Sequence, residues 1–184
     1  LRPECPQVLK QLEELGFRRI LMLTGDDERT ARAVAGKLGL KEYRSQVLPA
    51  DKADVIADLT AQGCKVLMGG DGINDAPALS ASHVGVAMCD GADLAREVAN
   101  VLLTRPDLSG LITARLLGRA TLRRIHINFA ATMLLNSMFL AGGLFMILTP
   151  GVSALLHNLT TLGVTLNAMR PHLPGRHARQ LEAA

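Results

Sequence analysis

Gly70-Asp71-Gly72-Ile73-Asn74-Asp75-Ala76-Pro77-Ala78-Leu79 joins two aspartates to two glycines ahead of an apolar Ala-Pro-Ala-Leu segment. It begins just past a short apolar run, Val66–Met68. Such a run, bounded by glycines, is consistent with a buried parallel strand. Asp71 and Asp75, four residues apart on a glycine-rich turn, can hold a Mg²⁺ through oxygen ligands. Gly70 and Gly72 let the backbone approach a phosphate closely.

Upstream, Ile20–Leu23 is another apolar run, and it ends in Thr24-Gly25-Asp26. Between the two runs, Pro49-Ala50-Asp51-Lys52 opens a helix predicted over Asp51–Gln62 and stopped by Gly63. Val8, Leu9, Leu12 and Leu15 repeat at helical spacing up to Gly16, and Asp27–Leu38 reads as a helix ended by Gly39. Further strands are predicted to close at Val47 and to run over Val84–Met88 and Val101–Leu103. Strands alternating with helices imply a parallel sheet covered on both faces, with ligands beyond the carboxyl ends of its strands. The polar clusters lie there. A hydroxyl and backbone N–H groups after a strand can hold phosphate oxygens, and a lysine at a helix start can neutralise a phosphoryl group. Each cluster alone is a common turn or a solvated helix residue. Their order and their place at successive strand ends make them a set.

The string GDGINDAPAL closely resembles the hinge motif of P-type ATPases, and TGD at Thr24–Asp26 together with Lys52 matches that family's other phosphorylation-domain signatures. The fold the resemblance implies is α/β: a partial haloacid-dehalogenase-like (Rossmann-type) parallel sheet followed by a transmembrane helical hairpin. By resemblance, Thr24 and Lys52 contact an aspartyl phosphate, Asn74 helps hold it, and Asp71 ligates Mg²⁺ with Asp75 nearby. Gly25, Asp26, Gly70 and Gly72 shape the loops. The resemblance runs from Leu1 to about His172. It implies residues 1–107 as part of a phosphorylation domain, 108–124 as a connecting helix, 125–172 as two membrane helices and 173–184 as a cytoplasmic tail.

That family carries its phosphate on the aspartate of a DKTGT motif, which this sequence lacks. The nucleotide-binding domain, the actuator TGE motif, the earlier membrane helices and a Cys-Pro-Cys type of motif are likewise not in it. Asp26 and Asp71 are poor stand-ins for the nucleophile, because their resembled roles are structural or metal-binding. The chain alone is therefore expected neither to hydrolyse ATP nor to move metal; ATP would act through the rest of the pump. The DKTGT segment normally supplies a central strand, so Ile20–Leu23 and Val66–Met68 are expected to flank a gap. Unpaired backbone there favours instability or oligomerisation. The opening Leu1-Arg2-Pro3-Glu4-Cys5 lacks a signal-peptide layout and reads as the inside of a longer sequence, or as an unusual start codon.

From Ile125 to Met169 there is no Asp, Glu, Lys or Arg. A crossing needs roughly 20 apolar residues, so two spans are predicted, Ile125–Leu148 and Gly151–Met169, turned by Thr149-Pro150. Arg115, Arg119, Arg123 and Arg124 precede the pair, and Arg170, Arg176 and Arg179 follow it. The positive-inside rule then puts both ends in the cytoplasm of a multi-pass cell-membrane protein in contact with lipid. A buried helical hairpin of a soluble protein is the alternative, but so small a domain has no spare core for it. Asp107 suits an N-cap for the helix 108–124, and continuity into the first span would couple domain to membrane. His157 is a candidate ligand for the transported metal, with Asn158, Thr160, Thr161, Asn167, Asn128 and Asn136 also polar within the spans. Interhelical hydrogen bonding explains the same pattern. Met133, Met138, Met146 and Met169 are soft atoms that serve equally as packing.

LLHNLTTLGVTLNAMRP (155–171) is similar to the last helix of heavy-metal-transporting P-type ATPases. It departs from the Met-and-serine pattern of copper exporters and lacks the HEG pattern of a cobalt-type subgroup, so the resemblance favours a divalent cation over Cu⁺. Cys5, Cys64 and Cys89 form no CxxC pair, so neither a zinc knuckle nor a thioredoxin-like site is indicated, and the sparse, odd count fits a reducing compartment. Aromatics at 3% argue against nucleic acid as a partner. The expected function is that of the C-terminal portion of an ATP-driven heavy-metal transporter. Its partners would be the metal cation and the remaining N-terminal part of the pump. Two rivals belong to other classes: a truncated non-catalytic protein that regulates a membrane partner, and a free phosphatase. The absent nucleophile and the apolar stretch oppose the second.

Overall fold

The computed structural model describes residues 2–170. They fall into two compact units that divide between Thr113 and Ala114. The last two residues (171–172) of the predicted membrane segment 125–172 and the tail 173–184 with Arg176 and Arg179 lie outside the described residues.

In the first unit helices and strands alternate: α1 (Cys5–Glu14), β1 (Leu21–Leu23), α2 (Glu28–Leu38), β2 (Glu42–Arg44), α3 (Pro49–Ala61) and β3 (Leu67–Gly70). A 3₁₀ turn (Ile73–Asp75), α4 (Ala76–Ala81), β4 (Val84–Ala87), α5 (Asp93–Val98) and β5 (Val101–Leu102) follow. Local chemistry sets the boundaries. The Asp27 side chain accepts from the Thr30 N–H, and Gly39 at φ 69° takes the left-handed position that closes α2. Gly16 and Gly63 sit at φ 95° and 82° just after α1 and α3. Helix α3 starts two residues earlier than the sequence predicts, because Pro49 occupies its first turn, where a missing N–H costs nothing. Strand β2 closes at Arg44 rather than Val47; the Val47 N–H instead donates to the Thr24 carbonyl.

Every strand pairing is parallel, yet the strands form two sheets, β1-β2 and β3-β4-β5. Strands β1 and β3, which the sequence places beside a gap, are not hydrogen-bonded to each other. Burial follows. Strand β4, paired on both sides, buries Val86 and Ala87, whereas every residue of β1 is half-buried. Val86, Met88 and Leu103 centre a cluster with Leu67, Val84, Val101, Leu108 and Leu111. Alternate residues of a strand point to opposite faces, so Gly85 turns to the other face. There Leu79 of α4, fully buried, passes so close that a Cβ on Gly85 would lie 2.8 Å from its carbonyl oxygen.

The second unit is built on α6 (Ser109–Leu144), which starts in the first unit and continues without interruption, and α7 (Pro150–Ala168). The Asp107 carboxylate accepts from the Ser109 N–H at 2.8 Å, as an N-terminal cap should. Helix α6 ends at Leu144, four residues before the predicted boundary. The Ile147 and Leu148 amides turn back onto the Gly142 carbonyl, and Leu148 packs where a Gly142 Cβ would be. Two spans are predicted; among the described residues one helix, α6, is long and apolar enough to cross a membrane, its most apolar 18-residue stretch having a mean hydropathy of 1.4. The 19-residue α7 has the length, but His157, Asn158 and Asn167 dilute its apolar character.

These contacts predict opposite signs for two glycine replacements. Gly85→Ala should destabilise the chain by about 2 kcal/mol through the clash with Leu79. Gly36→Ala, with open space around it inside α2, should stabilise by about 0.5–1 kcal/mol. Urea unfolding of the two variants beside the parent chain checks both.

Candidate phosphoryl-binding site

The turn after β1 is pinned to the loop that feeds α3. The Thr24 N–H donates to the Arg44 carbonyl at 3.0 Å, and the Gln46 N–H donates to the Asp26 carbonyl at 2.9 Å. Gln46 adopts φ 53°, a left-handed conformation that non-glycine residues rarely take. Within the turn, the Thr24 hydroxyl donates to an Asp26 carboxylate oxygen at 2.8 Å and accepts from the Asp26 N–H at 3.2 Å.

Lys52 leaves the first turn of α3 and places its Nζ 2.6 Å from Asp75 Oδ1. Asp75 is 9% exposed, and its other oxygen accepts from the Gly72 N–H at 3.3 Å. Gly70 makes room for it: a Cβ there would lie 2.6 Å from the Asp75 Cβ. Gly25, Lys52 and Asn74 line one cleft of about 450 Å³ with Gln46, Val47, Leu48 and Pro49.

Asp71 is exposed on the turn after β3. Its carbonyl accepts from the Ala92 N–H at 2.8 Å, and Gly91 packs so tightly that a Cβ would lie 3.0 Å from that oxygen. Arg2 pairs with Asp90 at 2.9 Å and donates to the Pro106 carbonyl, which ties this support to the start of α6. Among the described residues no group of three or more His, Cys, Asp or Glu side chains converges on a metal position. The donor set still fits Mg²⁺, which takes one or two carboxylates and fills the rest of its octahedron with water and phosphate oxygens. Asp71 is the exposed carboxylate of the pair, while Asp75 is engaged with Lys52.

The structure thus brings Gly25, Lys52 and Asn74 together, frames Asp75 with Gly70 and Gly72, and bonds Thr24 to Asp26. Gln46 and Gly91 escaped the sequence reading. A left-handed glutamine leaves no pattern, and Gly91 shows only as a glycine after an apolar run. His157 lies in the second unit, where its Nδ1 is 3.0 Å from Asn136 Oδ1. Both line a groove with Phe139, Leu140, Pro150, Ser153, Ala154 and Asn158. Met133, Met138, Met146 and Met169 are all exposed.

Next to the Thr24 turn, the Glu28 carboxylate accepts from the Ser45 hydroxyl at 2.7 Å, the Tyr43 hydroxyl at 2.8 Å and the Arg32 guanidinium at 3.0 Å. These bonds, Ser45 foremost, hold its pKa below the ordinary value. The Thr30 backbone N–H does the same for Asp27.

Residues 1–83 match the haloacid dehalogenase-like hydrolase family. The chain is 43% identical, over 92% of its length, to a manganese-exporting P-type ATPase of Mycobacterium leprae. It is 41% identical, again over 92% of its length, to a copper-transporting P-type ATPase of Rhizobium leguminosarum bv. viciae. It spans 24% and 21% of those proteins' lengths. The crystal structure of a zinc-transporting PIB-type ATPase in an E2.Pi state superposes with a TM-score of 0.87 at 38% identity, covering 92% of this chain and 28% of that one.

Two outcomes follow from the geometry. Lys52→Ala strands a nearly buried carboxylate and should destabilise the chain by about 2 kcal/mol, read by urea unfolding. Asp27 and Glu28 have folded pKa values below their unfolded ones, so their contribution is present above the unfolded pKa of about 4 and is lost as pH falls through the folded value. Glu28→Gln should therefore flatten the acid limb of a stability–pH profile below about pH 4 and leave the neutral plateau's pH dependence unchanged.

Proposed function

Because the chain belongs to the heavy-metal-transporting P-type ATPases, we propose that it serves such a pump as the C-terminal part of its phosphorylation domain and its last two membrane helices. The observation that carries this reading is the Lys52–Asp75 pair at 2.6 Å beside the Gly25 and Asn74 cleft, at the carboxyl rim of parallel strands. Lys52 neutralises the phosphoryl group, with its ammonium aimed by Asp75. Thr24 and Asn74 donate to phosphoryl oxygens. Asp71 holds Mg²⁺, with Gly91 and Ala92 fixing its backbone. When bound, the cation neutralises developing charge and orients phosphate oxygens.

The nucleophilic aspartate comes from the rest of the pump, on a strand that fits between β1 and β3. The unpaired sides of those strands support this, since buried backbone groups need partners. The 184-residue chain contains no DKTGT, and by itself it turns over no ATP. Helices α6 and α7 cross the membrane as a hairpin. His157, beside Asn136 in its groove, takes part in the path of a divalent heavy-metal cation.

Co-expression with the complementary N-terminal portion of a related pump tests this. Metal-stimulated ATPase activity and an acid-stable phosphoenzyme should appear with both pieces and with neither alone. Amides of Leu21–Leu23 and Leu67–Gly70 should gain protection from hydrogen exchange on association. Lys52→Ala should lower turnover of the reassembled pump by about a hundredfold or more. Binding of the other piece with no phosphoenzyme would instead favour a non-catalytic regulator.

A further inference from the structure

A stripe of positive charge on α6 lies outside the proposed phosphoryl and metal sites. Arg115, Arg119 and Arg123 recur every fourth residue along α6, so they occupy one face, and all three are exposed. No Asp or Glu occurs in the sequence from Leu108 to Leu181. Arg124 is set differently: it donates to the Arg170 carbonyl and closes the end of α7. Immediately below the stripe the same helix exposes Leu122, Ile125, Ile127 and Phe129 at 57%, 55%, 53% and 65%.

Distances decide which of these arginines meet a bilayer. If the apolar layer begins at Ile125, a rise of about 1.5 Å per residue puts Arg123 about 3 Å, Arg119 about 9 Å and Arg115 about 15 Å above it. The headgroup layer is roughly 5–8 Å deep on each side, and charges are felt over a Debye length of about 8 Å. Arg123 therefore sits among the headgroups and Arg119 at their outer edge, while Arg115 lies beyond. Long arginine stems can also lie along Leu122 and Ile125 with the guanidinium held at the phosphates.

We propose that Arg119 and Arg123 form a docking face for the phosphate headgroups of anionic phospholipids in the leaflet next to the first unit. The inference rests on the reading of α6 as a membrane span. Planar guanidinium groups suit phosphate oxygens, and each basic side chain near the surface strengthens association with anionic lipid by about fivefold. The face selects headgroup charge and is indifferent to acyl-chain chemistry.

The test uses the full chain reconstituted in phosphatidylcholine nanodiscs carrying spin-labelled phosphatidylglycerol or spin-labelled phosphatidylcholine. The parent chain should immobilise phosphatidylglycerol severalfold more strongly, and high salt should erase the difference. The double variant Arg119→Gln/Arg123→Gln should lose the preference, and Arg119→Lys/Arg123→Lys should keep most of it. Equal immobilisation of the two lipids by the parent chain at low salt, or an unchanged preference in the glutamine variant, overturns the proposal. Immobilisation of neither lipid overturns the membrane-span reading and this inference with it.

Discussion

A carboxylate taken out of water has to be paired, and the rim of the first unit is arranged around meeting that need for Asp75. One oxygen takes the Lys52 ammonium at 2.6 Å and the other the Gly72 N–H at 3.3 Å. The turn after β3 can fold back this tightly only because Gly70 has no side chain to meet Asp75. The lysine is thereby drawn from the first turn of α3 to the cleft it shares with Gly25 and Asn74. The same pair links α3 to the segment that leads into α4, whose Leu79 fills the space under Gly85.

That link matters because the parallel sheet is divided. The Thr24 turn hangs from β1-β2, whereas the Asp71 turn hangs from β3-β4-β5. No ladder of hydrogen bonds joins the two. What holds them in register is the packing of α3 on α4 and the Lys52–Asp75 pair. A site assembled from two strand ends is then only as well defined as those bridging contacts.

The second unit solves a different problem, that of polar atoms among apolar ones. Threonine hydroxyls at 160, 161 and 165 donate to carbonyls one turn back in α7. Asn167 donates across to Asn128 at 2.7 Å, and His157 meets Asn136. Every one of these bonds stays within the α6–α7 hairpin, which suits surroundings that offer no water. The four-residue periodicity of Arg115, Arg119 and Arg123 keeps these charges on one face of the N-terminal half of α6, ahead of the charge-free stretch that begins at Ile125.

Much of this was legible in residue order. Glycines at 16, 39 and 63 marked helix ends because only glycine takes the left-handed backbone cheaply, and Asp107 marked a helix start because its carboxylate caps a free amide. Apolar runs marked the strands to within a few residues. The order of TGD, the lysine and GDGINDAPAL pointed to the carboxyl ends of the strands, and the structure places TGD after β1 and GDGINDAPAL at the end of β3. Long-range contact decided the rest. Asp71 and Asp75 share one glycine-rich turn, and only packing made Asp75 a buried partner of Lys52 and left Asp71 exposed. Likewise, where α6 stops depended on how Leu148 could fold over Gly142, and the shape of the Thr24 turn depended on a left-handed Gln46. Local propensity is written residue by residue, whereas burial and pairing belong to neighbours that are far away in the chain and meet only once it has folded.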